Sequence, residues 1–156
     1  MAEDIKDISL STKKSYRIDG DNNRILCLDT SDMNIMIRLE ETYPEIQKLA
    51  VEAGDRITAS TGSDDLGSSL NDITEILKDI DKRMREKVDY IFASDVSDKC
   101  APHGNMFDPV NGGEFRFEHI IEVLSSLYAN NITSEFKKMQ ERVKKHTAKY
   151  TNKRRK

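Results

Sequence analysis

The stretch from residue 70 to residue 91 reads LNDITEILKDIDKRMREKVDYI. Leu70, Ile73, Leu77, Ile80, Met84, Val88 and Ile91 recur in it at steps of three and four, the spacing that lines up one face of an α-helix. The stripe is narrow, so this helix packs on one side and meets water elsewhere. Upstream, Asp55 to Ser69 is rich in Ser, Thr, Asp and Gly and reads as a flexible connector. Before it, Met33, Met36, Ile37 and Leu39, then Ile46, Leu49, Ala50 and Ala53, repeat at helical spacing. Thr30 or Ser31 can cap this helix at Asp32, Pro44 predicts a kink or restart, and Gly54 predicts its end. Further upstream, Tyr16 and Ile18, a turn-forming run over residues 19–23, and Ile25-Leu26-Cys27-Leu28 predict a β-hairpin across Lys14 to Thr30.

Downstream, Ala93 to Gly113 holds two prolines and three glycines and reads as a long connector. Phe117, Ile120, Ile121, Leu124, Leu127 and Tyr128 then open a last helix, which Ile132, Phe136, Met139 and Val143 continue more thinly toward Tyr150. An unbroken helix from Phe115 to Tyr150 would span ~54 Å at the α-helical rise, with its second half projecting from the body. The fold class is mainly α, a small helical domain with a short N-terminal β-hairpin and a long C-terminal helix. Residues 1–13 read as a loose N-terminus, 14–143 as the domain, and 144–156 as a basic tail.

Charge is distributed unevenly over the 156 residues, whose net formal charge is −3. From Lys137 to Lys156 there are ten Lys/Arg and one acid, giving +9, and the other 136 residues hold 15 basic and 27 acidic groups, giving −12. Such a layout suits self-association, an acidic partner or loose nucleic-acid contact. The tail, with Lys149, Lys153, Arg154, Arg155 and Lys156 at its end, would hold backbone phosphates weakly and with strong salt dependence. No run approaches the roughly 18 apolar residues of a membrane span. Met1 to Leu10 carries three acids and no apolar stretch, so no secretory signal is expected, and two cysteines suit a reducing compartment.

Catalytic chemistry does not assemble from this sequence. It contains no phosphate-binding loop and no nucleophile elbow. Asp19-x-Asp21-x-Asn23 starts like a calcium loop, but Arg24 stands at its sixth position and Thr30 at its twelfth, where Gly and Glu are needed. Cys100-x-x-His103 has metal-site spacing without a second Cys/His pair. No enzyme activity, cofactor or metal is therefore expected.

Three segments carry a resemblance. They are the hairpin running into residues 29–40, DTSDMNIMIRLE; the connector with Tyr90-Ile-Phe92 and Gly104-Asn-Met-Phe107; and the ending Lys149-Tyr-Thr-Asn-Lys-Arg-Arg155. In this order the chain resembles a small family of tail-region proteins of long-tailed phages of Gram-positive bacteria, which are similar to tail assembly chaperones. The ending departs from the family pattern at Lys153, where Arg is usual. The resemblance implies a non-enzymatic role in the host cytoplasm, coating the tape measure protein during tail assembly and leaving as tube subunits polymerise. The contact residues expected under it are Leu70, Ile73, Leu77, Ile80, Met84, Phe136 and Met139, with the unbranched side chains of Met33, Met36, Met84 and Met139 adapting to varied apolar partners. The alternative is a small phage accessory protein whose basic tail binds nucleic acid or an acidic partner.

Overall fold

The computed structural model describes residues 3–62 and 66–154. In chain order it has β1 (Lys14–Arg17), β2 (Ile25–Leu28), α1 (Asn34–Ser60), α2 (Leu66–Phe92), α3 (Val96–Cys100), β3 (Pro109–Val110), β4 (Glu114–Phe115) and α4 (Arg116–Arg154). The fold is mainly helical, with a short hairpin before the helices and a long helix after them.

β1 and β2 pair antiparallel from Lys14 opposite Leu28 to Arg17 opposite Ile25. Asp19 and Gly20, both at positive φ, turn the chain between them. Alternation along β2 buries Leu26 and Leu28 and leaves Ile25 and Cys27 outside. Asp32 then accepts the Asn34 N–H at 3.0 Å, and α1 starts at Asn34, two residues later than the sequence suggests.

α1 and α2 lie antiparallel, as the order of their cross-pairs shows. Arg56 meets Asp79 at 2.6 Å, Glu52 meets Arg83, Glu45 meets Lys87 at 3.3 Å, and Arg38 donates to the Ile91 carbonyl at 2.8 Å. Two expectations fail here. α1 runs through Pro44 and Gly54 to Ser60, so neither residue breaks it, and most of the expected connector is helix. Pro44 lies on the exposed side, where the carbonyl one turn earlier can turn to water for the N–H that proline lacks. Beyond Gly54, the Arg56–Asp79 pair and Ile57, packed against the core, hold the last turns on α2.

The face of α1 also differs from the expected one. Its inward side is Ile35, Leu39, Thr42, Ile46, Leu49 and Ala53, which alternates steps of four and three. Met33, Met36 and Ile37 point away and are 51–55 % exposed. On α2, Ile76, Ile80, Met84, Val88, Ile91 and Phe92 are buried, Ile73 and Leu77 half-buried, and Leu70 exposed.

The expected long connector is organised. After Ala93 at positive φ, α3 forms, and β3 and β4 make a second, two-residue hairpin. Phe107, Phe115 and Phe117 pack together with ring centroids 5.2–5.8 Å apart. Phe117, Ile120, Leu124 and Tyr128 seat α4 on the core shared by the first hairpin, α1, α2 and α3. Asn131 then donates to the Thr30 carbonyl at 3.0 Å, placing the start of α1 beside the point where α4 leaves. From Thr133 to Lys145 every residue of α4 is exposed.

Candidate functional site

The second half of α4 is the main exposed apolar feature among the described residues. Phe136, Met139 and Val143 follow one another by three and four, so they share a face of the helix. They are 42 %, 42 % and 57 % exposed although apolar. Lys137, Lys138, Arg142, Lys144 and Lys145 surround them, and one local pair, Lys138 to Glu135 at 3.2 Å, sits alongside. The result is an apolar strip on a basic rod. At its root, the exposed Met33, Met36 and Ile37 add apolar surface near the beginning of α1.

The residues expected to bind a partner divide between two places. Phe136 and Met139 are on the strip and Leu70 is exposed on α2. Ile80 and Met84 are at 0 % exposure and form the centre of the core, so no partner reaches them in this fold. They are a correction to the expected surface, because the stripe that makes α2 helical is the face it presents to α1 and α4. The helix backbone continues through the expected basic tail as far as Arg154. Lys149, Lys153 and Arg154 therefore belong to α4, while Arg155 and Lys156 lie outside the described residues.

Cys100 is not built as a nucleophile. It is half-buried, and burial pushes its thiol up to about 11, so it is protonated near neutral pH. His103 lines a hollow of about 400 Å³ beside it, together with Arg24. That arginine is already committed, donating to the Lys99 carbonyl at 2.7 Å and the Cys100 carbonyl at 3.0 Å.

A second polar group was not legible as a site. Glu114, His119 and Glu122 bring one oxygen or nitrogen each within 4.8 Å of the others. His119 Nδ1 lies 3.4 Å from a Glu114 oxygen, and the Glu122 carboxylate against Glu114 raises the Glu114 pKa. His119 and Glu122, three apart on a helix, are the part of the signal a sequence carries; Glu114 joins them only through the β3–β4 hairpin.

Comparison with protein-family models, curated proteins and solved structures found no significant match to this chain. No helix among the described residues is long and apolar enough to cross a membrane.

Proposed function

We propose that this chain is a non-enzymatic assembly chaperone that binds the apolar helices of a phage tape measure protein through the projecting half of α4. The single observation that carries the reading is the strip Phe136–Met139–Val143, apolar yet 42–57 % exposed where the helix leaves its own core. Burying apolar surface is worth about 25 cal/mol per Å², so three half-exposed side chains supply a few kcal/mol. That is too little for a permanent complex. It suits a protein that coats a long partner in many copies and is then displaced. Met139, with Met33 and Met36 at the root, tolerates partners whose apolar residues vary in shape. The basic flanks favour acidic residues beside the partner's apolar stripe.

Co-expression tests the reading. The tape measure protein encoded with this chain should be recovered in the soluble fraction only when this chain is present, and equal recovery without it would refute the assignment. One observation favours a second reading, in which the same region binds nucleic acid or an acidic partner. The helix backbone extends to Arg154, which puts much of the +9 segment on a regular element rather than a loose end. Under that reading, affinity for unrelated DNA sequences should be similar and fall steeply with salt.

A further inference from the structure

We propose that Glu114, His119 and Glu122 form an open binding site for a divalent transition metal of the zinc type. The site begins with the turn Asn111-Gly112-Gly113, whose three residues all have positive φ and fold the chain sharply back. Pairing of Val110 with Glu114 and of Pro109 with Phe115 then fixes the register of β4. Because α4 begins at Arg116, directly after β4, Glu114 is held against the first turns of that helix. His119 and Glu122 are one turn apart there on the same face.

The three donor atoms converge within 4.8 Å, from two elements whose relative position the backbone fixes. Ligands about 2.0–2.1 Å from a tetrahedral ion stand roughly 3.3 Å apart, so small side-chain rotations close the gap. The electrostatics favour a cation. Two carboxylates face each other, and among the described residues neither makes an ion pair with Lys or Arg; the nearest such side chain in sequence, Arg116, turns to Asp108 at 3.3 Å. Glu122 is exposed and Glu114 and His119 are half-exposed, which leaves the site open to an entering ion and to water as a further ligand. One imidazole with two carboxylates selects zinc and its neighbours over magnesium and calcium, which prefer oxygen alone. A bound ion would clamp the second hairpin onto the root of α4, and this inference is independent of the chaperone reading.

The test is calorimetric titration of the full-length protein with zinc sulfate in metal-free buffer. About one zinc per chain is expected, with magnesium at least about tenfold weaker. His119→Ala and Glu122→Gln should each weaken zinc by at least about tenfold, with the helical circular dichroism unchanged, whereas Cys100→Ser and His103→Ala should leave it as it was. Absence of zinc binding, equal affinity for magnesium, or binding that survives His119→Ala or is lost with Cys100 would overturn the proposal. If His119→Ala alters the circular dichroism, Glu122→Gln at the exposed ligand decides the matter by the same criterion.

Discussion

On α2, Asp81, Arg85 and Asp89 are spaced by four, one helical turn apart, and together they hold a loop that no apolar pattern specifies. Arg85 donates to Asp81 at 2.9 Å and to the carbonyls of Ser97, Ala101 and Gly104. Asp81 accepts the Met106 N–H at 2.7 Å, and Asp89 accepts the N–H and hydroxyl of buried Ser97 at 2.7 and 2.9 Å. The planar fork of Arg85 serves several carbonyls at once, which a lysine ammonium cannot do from one position. Arg85→Met is expected to destabilise the protein by about 2–3 kcal/mol, because it leaves half-buried carbonyls without donors, and Arg85→Lys should recover little of that in urea unfolding. The second prediction at this scale concerns thiols. With its pKa near 11 and partial burial, Cys100 should resist iodoacetamide at pH 7.5 while exposed Cys27 is labelled. Peptide mapping by mass spectrometry reads both sites, and fast labelling of Cys100 would show that its surroundings open readily.

At the scale of elements, the strong apolar repeats were legible and the polar devices were not. The stripe of α2 and the start of α4 could be read because seven and six apolar residues, respectively, keep helical spacing without interruption. The inward face of α1 is not legible in the sequence because Thr42, 3 % exposed, occupies an inward position of the repeat and hides its phase. Met33, Met36 and Ile37 then offered a false stripe one step away. Proline and glycine at positions 44 and 54 suggest breaks, yet packing against α2 holds the helix through both. The second hairpin and α3 escaped notice because the first is two residues per strand and the second is fixed by Asp89 and Arg85 rather than by its own composition. The candidate strip on α4 was half legible: Phe136 and Met139 could be named, but only the fold shows that Ile80 and Met84 are buried and that Val143 is exposed. Gly54 gives a prediction here. A Cβ added to it meets nothing within 4 Å, and it sits inside a helix. Gly54→Ala should therefore stabilise the protein by about 0.5–1 kcal/mol, mostly by reducing the freedom of the unfolded chain. A raised urea midpoint with an unchanged slope checks this.

The whole molecule divides into an acidic, packed body and a basic helix that leaves it. Of the −3 net charge, the last twenty residues hold +9 and the rest −12, so the two parts attract through solvent at low ionic strength and much less at high. Stability resides in the body, where the buried side chains lie, and the strip on α4 adds contact surface without adding to the core. That separation is what the chaperone proposal needs, since binding can then be removed without unfolding the protein. The most direct measurement replaces the strip and reads stability and partner rescue side by side. In the variant carrying Phe136→Gln, Met139→Gln and Val143→Gln, helical propensity is largely retained while the apolar face is lost. Its thermal midpoint should stay within about 2 °C of the unsubstituted chain, and co-expression with the tape measure protein should no longer yield that partner in soluble form. Undiminished rescue by this variant, or a midpoint that falls sharply because the strip was part of the core, would contradict the claim that the exposed half of α4 is the working surface.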